Sequence, residues 1–445
     1  MPPIRPFFGL PLVALLALIA GPASAQLRGL PLGGGAPLGL PAGSLVRDVQ
    51  YAADRTTGDL AGRLDDLATR RLDLADDLLA RHPDVLEKSP QGDLIVRHQV
   101  VAYAPSDGAL AAATRAGFNL GEHQTLDGLG ARVVVLVAPK GMSTREALKR
   151  LHALDPDGVY DYNDIYLGSA SGEARPAGAV MQASGEGGGR AGLIDSGVDA
   201  GHPAFRGAHI EQRAFAGAVV PSPHGTATGS LLVGRSDGFA GAAPGAELLV
   251  ADVYGNAPTG GSAGAILRAL DWMAQQRVAV INVSLVGPPN EPLRAAVATL
   301  VGRGHLIVAA VGNDGPAAKP LYPAAFPGVV GVTAVDRKSR VLIEAGRGPQ
   351  VAFAAPGADI AAAAPGGTYA EVRGTSFAAP IIAGLLARDL ARPDPAAARA
   401  AVARLAATAV DLGAPGPDPV YGAGLAGGDI RPDLRAVKAG LKTHP

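Results

Sequence analysis

The chain contains no cysteine, which excludes disulfides, thiolate metal sites, a cysteine nucleophile and a lipidated cysteine anchor. Charge is sparse: 18% of residues are ionic, and 39 Lys and Arg against 40 Asp and Glu leave a formal net charge of −1. So balanced a chain has no surplus of cations to neutralise phosphates, and no nucleic-acid partner is expected. Aromatics are scarce at 4%, with one Trp. After residue 25 no apolar run approaches the roughly 20 residues that a membrane helix needs, so no span is expected in the mature form. The nine histidines include no His-Glu-x-x-His and no close pair, which argues against a catalytic metal. The Gly-rich stretch at 186–190, EGGGR, is not followed by Lys-Ser/Thr and is no phosphate loop.

What is present is a largely globular chain. Its 445 residues are 48% hydrophobic, enough for two or three domains with a sizeable core. Residues 1–25 carry one early charge, Arg5, an apolar run from Phe7 to Ala20 and a closing Ala23-Ser24-Ala25. That is the form of a cleavable signal peptide, so a secreted or periplasmic protein is expected. Residues 26–90 read as a Gly/Pro-rich linker followed by a helical segment. There Leu60, Leu64, Leu67, Leu74 and Leu78 mark one face, and His82-Pro83 ends the helix.

Residues 91–170 change pattern. LIVRHQVVAY, FNLGEHQTL, ARVVVLVA and GVYDYNDIYL read as strands, with SDGALAAATRAG and STREALKRLHAL as helices between them. The order βαββαβ is the ferredoxin-like, split βαβ arrangement. A turn-rich stretch, 168–189, follows. Beyond Arg190 the runs AGLI, ELLVADV, VAVINVS, HLIVAA and VVGVTAV alternate with helical stretches. Strands apolar on both faces and separated by helices predict a parallel sheet covered on both sides. The expected fold is therefore α/β, a three-layer domain with a central parallel sheet over 171–445, preceded by a ferredoxin-like α+β domain.

Three short motifs stand at the ends of those strands or at helix starts. GLIDSGVDAGHP puts Asp195 where a buried strand turns, PHGTATGSLLVG puts His224 at the head of a helix, and RGTSFAAP puts Ser376 at the head of another. Singly each has a structural reading: a turn aspartate, a core histidine, an N-cap serine. Together, in the order Asp, His, Ser, they match the chain order of subtilisin. IVAAVGNDGP adds Asn313 at the end of a buried strand, and VINVSLVGPP adds Ser284, Leu285, Val286 and Gly287.

With these motifs in register over roughly residues 190–430, the sequence resembles the subtilisin-like serine peptidases. The resemblance implies a serine endopeptidase acting on a protein or peptide through an acyl-enzyme, with no cofactor. It makes Ser376 the nucleophile, His224 its base, Asp195 the partner that orients the imidazole and Asn313 the oxyanion donor. It gives Ser284, Leu285, Val286 and Gly287 to the substrate-pairing strand and sets Leu321 beside the pocket for the residue before the scissile bond. It also recasts residues 91–170 as an inhibitory prodomain, removed by self-cleavage near Ala170-Ser171.

Some positions depart from that pattern. Ala227 stands where relatives often carry a second His, with no catalytic loss attached. Val286 replaces a frequent Gly and narrows the expected cleft. Leu321 predicts small or modest apolar residues before the scissile bond. The loop VGRSDGFAG is poor in carboxylates, so the family's calcium site, which needs six to eight oxygens, is not carried over. His202 reads as a loop residue, and His98 and His123 as surface side chains in preference to a pH sensor. The competing reading is a catalytically restrained regulatory or binding protein that keeps its prodomain in the cleft. An esterase is disfavoured, since no Gly-x-Ser-x-Gly elbow occurs.

Overall fold

The structure, a computed structural model, describes residues 71–168 and 189–440. The expected signal peptide, the Gly/Pro linker, the first leucines of the helical face and the Ala170-Ser171 bond lie outside the described residues.

The first described element is helix α1, residues 71–81, which stops at the His82-Pro83 pair. Then come β1 (Leu86–Lys88), β2 (Leu94–Tyr103), α2 (Asp107–Arg115), β3 (Asn119–Leu126), β4 (Ala131–Val137), α3 (Thr144–Leu154) and β5 (Val159–Asp164). Both helices start at serine caps, and Ser143 with Glu146 forms a reciprocal capping box. The antiparallel sheet runs β1-β2-β4-β3, with β5 on β2, which is the ferredoxin-like arrangement plus the short strand β1. Sequence reading missed β1 because three residues carry too little pattern. One face of this sheet (Val100, Ala102, Val134 and Leu136) packs under α2 and α3 through Phe118, Ala147 and Leu151.

The sequence run 158–167 reads as one strand, but the chain divides it. After β5 the backbone leaves its own sheet. Ile165 bridges Ser262, and β6 (Leu167–Gly168) pairs antiparallel with another part of the molecule.

The second region contains β7 (Arg190–Asp195), β8 (Ile210–Ala214), α4 (Pro223–Val233), the small ribbon β9 (Arg235–Ser236) and β10 (Phe239–Ala240), β11 (Glu247–Asp252), α5 (Ala263–Gln275), β12 (Val280–Val283), β13 (Leu285–Val286), α6 (Glu291–Gly302) and β14 (Leu306–Ala310). It closes with β15 (Val330–Val335), β16 (Val351–Pro356), the hairpin β17 (Ala358–Ala364) and β18 (Thr368–Arg373), α7 (Thr375–Asp389), α8 (Pro395–Thr408) and α9 (Leu434–Gly440). Seven strands form the central sheet in the order β16-β15-β14-β12-β7-β11-β8, every pair parallel. Five of these match the five apolar runs; the two edge strands, β8 and β16, complete the sheet.

The period-2 rule explains why those runs are apolar throughout. Ala191, Leu193, Leu248, Val250, Val280 and Val308 face the core beneath α4 and α7. Their neighbours Ile194, Leu249, Ala251, Ile281, Ile307 and Ala309 face the opposite core, beneath α5 and α6. That second core is shared: Val101, Tyr103, Leu126 and Val133 of the ferredoxin-like sheet belong to it. Polar contacts fix the orientation of the two regions. The Gly264 N–H donates to Asn163 Oδ1 at 3.0 Å, and the Glu291 N–H donates to Asp161 Oδ2 at 3.1 Å. Both acceptors thus sit at helix N-termini, where acceptor oxygens are favoured.

Candidate active site

Asp195 is the last residue of β7, held where the parallel sheet opens. Its carboxylate is buried at 1% exposure. Oδ1 accepts from the Ser196 N–H at 2.7 Å and its hydroxyl at 3.1 Å, and Oδ2 accepts from the Thr228 hydroxyl at 3.2 Å. His224 enters at the first turn of α4, capped by Ser222, and its Nδ1 lies 2.8 Å from Asp195 Oδ1. Gly225 permits this approach, since an added Cβ would meet Ser196 O at 2.2 Å. Burial works against the imidazolium, but the charge of Asp195 and its hydrogen bond outweigh it, so the His224 pKa is raised. With Nδ1 engaged, Nε2 is buried and has no hydrogen-bond partner among the described residues.

Ser376 is not an N-cap. The cap position of α7 is Gly374, at φ 141, which has no side chain with which to cap the first turn. A positive φ of that size favours glycine. Ser376 falls in the first turn, fully buried, with Oγ 3.3 Å from Ser284 O as donor. A chain of hydrogen bonds supports it from behind: Asn282 Nδ2 donates to Ser284 Oγ at 2.8 Å, which donates to Ser376 O at 3.0 Å. The Phe377 ring lies 5.6 Å from the His224 ring, so α7 and α4 meet at the site.

Asn313 follows β14. Its Oδ1 accepts the Thr375 N–H at 3.1 Å, which fixes the amide and turns Nδ2 the other way. Nδ2 is buried and has no partner among the described residues. A buried amide N–H with no acceptor costs about 1–3 kcal/mol, and such a group beside a first-turn serine suits an oxygen that gains charge. Thr375 also ties the two loops together, accepting from the Gly312 N–H at 3.2 Å.

Leu285 and Val286 hold the tail, residues 165–168, that follows β5. Leu285 pairs with Gly168 and Val286 with Leu167, while the Tyr166 N–H donates to Gly261 O at 2.8 Å. The tail therefore lies as a strand between β13 and the 260–262 loop. A Cβ on Gly168 would sit 3.8 Å from His224 Nε2, so the tail reaches the imidazole. Gly287 exchanges backbone bonds with Tyr322 at 2.9 and 3.0 Å. Leu321 packs on Gly312, where a Cβ would come within 2.6 Å of Leu321 Cδ1, filling space next to Asn313. His202 is buried at 1%. Its Nε2 lies 2.7 Å from Thr368 O and its Nδ1 accepts from Ala204 N–H, a local structural role.

One ion pair escaped sequence reading. Glu344, fully buried, holds the Arg373 guanidinium through two bonds, 2.7 and 2.9 Å, immediately before the Gly374 turn. Its Cα lies far from Arg373 in sequence, and nothing in VLIEAG marks the glutamate as a partner.

Comparison with known proteins agrees with this geometry. The Subtilase family matches residues 190–424, more than half of the chain. M-protease of Shouchella clausii (strain KSM-K16) is 36% identical over 167 residues, 37% of this chain and 43% of that protein. Subtilisin DY of Bacillus licheniformis is 30% identical over 234 residues, 50% of this chain and 84% of that protein. The chain thus spans less than half the length of M-protease. In fold it resembles fervidolysin from Fervidobacterium pennivorans, with a TM-score of 0.61 at 18% identity, covering 80% of this chain and 62% of that one. The parallel sheet, the two helix-borne side chains at its open end and the match over 190–424 carry one conclusion: this chain belongs to the Subtilase family.

Proposed function

We propose that the protein is a serine endopeptidase, exported and made as a zymogen that processes itself. The observation that carries the reading is a pair of buried donor and acceptor atoms around the head of α7. An imidazole Nε2 and an amide Nδ2 have no partner among the described residues, and their side chains meet Phe377 and Thr375, the two neighbours of Ser376. Nε2 is the acceptor for the serine proton, because Asp195 holds Nδ1–H on the other side of the ring. As Oγ attacks a peptide carbonyl, the proton passes to His224, and the charge of Asp195 stabilises the imidazolium. The carbonyl oxygen, now negative, takes the Asn313 N–H and the Ser376 backbone N–H in the first turn of α7. His224 then protonates the leaving amine, and water repeats the sequence on the acyl-enzyme.

The substrate class follows from the tail. Residues 165–168 lie in the cleft as a substrate strand would, with backbone pairing to Leu285 and Val286, so an extended peptide is the ligand. Gly168 faces the imidazole two residues short of the expected Ala170-Ser171 bond. Leu321, seated on Gly312, favours small residues before the scissile bond. Residues 86–168 act as the prodomain: they cover α5 and α6 and leave their C-terminal strand in the cleft.

A serine-directed phosphonate and a peptide library test this together. Labelling of Ser376, lost in Ser376→Ala, with cleavage after small residues is the expected result. No labelling after removal of residues 1–168 would defeat the peptidase reading; a strong preference for Arg or Lys would defeat the pocket assignment alone.

A further inference from the structure

Helix α1 precedes the ferredoxin-like sheet and plays no part in the reading above, yet its contacts converge on the cleft. Its apolar face, Ala75 with Leu78 and Leu79, shares one cluster with Leu86, Leu94 and Val96 and with Ile165 and Leu167 of the tail. The helix therefore covers the side of the tail that the cleft leaves open. Its first described turn goes further than the tail does. Leu74 lines a cavity of about 480 Å³ beside Gly168, together with His224, Tyr254 and Phe377. Arg71 donates from Nε to Asp314 Oδ2 at 2.7 Å, and the pair is only 21% and 13% exposed. Asp314 is the residue after Asn313. One end of α1 thus touches the His224 wall through Leu74 and the Asn313 wall through Arg71.

We propose that α1 is a second inhibitory element, a strap that pins the tail in the cleft and roofs the site between its two walls. The proposal rests on reading the protein as a self-processing peptidase. The tail's pairing with β13 is two residues long, and the sheet before it is held by the core it shares with α5 and α6. The strap adds a separate hold on the tail itself. With Leu167 under Ala75 and Arg71 on Asp314, the severed segment stays seated, and the cleft opens only when α1 leaves or is itself cut. Activation then has two steps, scission of the tail and release of the strap. Asp314 is the docking point for the second. A partly buried ion pair of this kind outweighs an exposed one, because water screens it less.

The test uses the full chain in two forms. In the Ser376→Ala chain, which cannot cut itself, hydrogen exchange is followed for residues 71–81 and for the Tyr166 amide. Arg71→Glu is expected to speed exchange of both segments roughly tenfold, the factor carried by about 1.4 kcal/mol. Reversing the pair, Arg71→Asp with Asp314→Arg, is expected to restore protection, which a helix that had merely unfolded would not do. Unchanged exchange of Tyr166 in Arg71→Glu overturns the strap. In the chain that keeps Ser376, Arg71→Glu is expected to shorten the lag before peptide hydrolysis by a similar factor at an unchanged final rate. Hydrolysis with an unaltered lag also overturns the strap and leaves the peptidase standing. Absence of hydrolysis in every variant overturns the peptidase reading, while the exchange result still decides whether α1 holds the tail.

Discussion

Residues 86–164 and residues 190–440 are built from the same materials, strands of alternating apolar residues with helices laid across them, but they complete their cores differently. The larger region covers both faces of its seven-stranded sheet with its own helices, and each face has a separate core. The smaller region covers one face with α2 and α3; the other face, Val101, Tyr103, Leu126 and Val133, is buried only against α5 and α6 of its neighbour. A small sheet with one unpaired apolar face is marginal alone. The difference teaches which region is host and which is guest. The host carries the candidate chemistry on elements it buries itself, and the guest depends on the host for half of its core.

Several substitutions would sharpen or break that contrast. The largest effect is expected in the host. Asp195→Asn takes the imidazole's charged partner away and is expected to lower kcat about 10⁴-fold. With His224 as the proposed base, the active form of the wild type is expected to be the neutral imidazole. With its pKa raised by Asp195, kcat/KM climbs as pH rises through a value above the ordinary histidine range. In Asp195→Asn that limb is expected to move to lower pH, readable in a pH–rate profile. Next comes Asn313→Ala, expected to cost roughly 10²–10³ in kcat with little change in KM if its N–H meets the oxyanion, as proposed, and not the bound peptide.

The guest's dependence is tested by Val101→Asp. A charge placed in the shared core is expected to undock residues 86–168 and raise their cleavage by an added protease about a hundredfold, with residues 190–440 still resistant. Equal loss of resistance in both regions would break the comparison. Leu321→Gly, by opening space beside Gly312, is expected to raise kcat/KM for a large apolar residue over Ala before the scissile bond by about 10–100-fold. The smallest effect concerns Asp164. It is buried against Asn290 Nδ2 at 2.8 Å, and burial raises its pKa well above the usual carboxylate value. The docked state therefore binds its proton more tightly, so docking is fully favoured below the ordinary Asp range and weakens as pH rises toward the raised value. Asp164→Asn is expected to flatten that pH dependence by a few-fold in a dissociation measurement.

Much of this was legible in the sequence, for reasons that differ by residue. The buried strands announced themselves because both of their faces are apolar, and the helix before His82-Pro83 because Leu74 and Leu78 continue one apolar face. Asp195, His224, Ser376 and Asn313 stood out through the small residues beside them. Gly225 and Gly374 are glycines because backbone or a positive φ leaves no room for a Cβ, so the motif spells its own geometry. The plain alternative for Ser376, an N-cap, fails because Gly374 occupies that position. What stayed hidden depends on distant partners. The break of 158–167 into β5 and β6 arises because Leu167 and Gly168 pair with Leu285 and Val286, which no local pattern reveals. The short strand β1 exists only by pairing with β2. Glu344 beneath Arg373 and Arg71 on Asp314 are long-range ion pairs that no local pattern marks.

The most direct test of the account is the intact mass and N-terminal sequence of exported wild-type protein beside Ser376→Ala. The wild type is expected to lose the ferredoxin-like region by a cut shortly after Gly168, while Ser376→Ala keeps that region covalently attached. Identical trimming of both proteins, or no trimming of either, would contradict self-processing by Ser376.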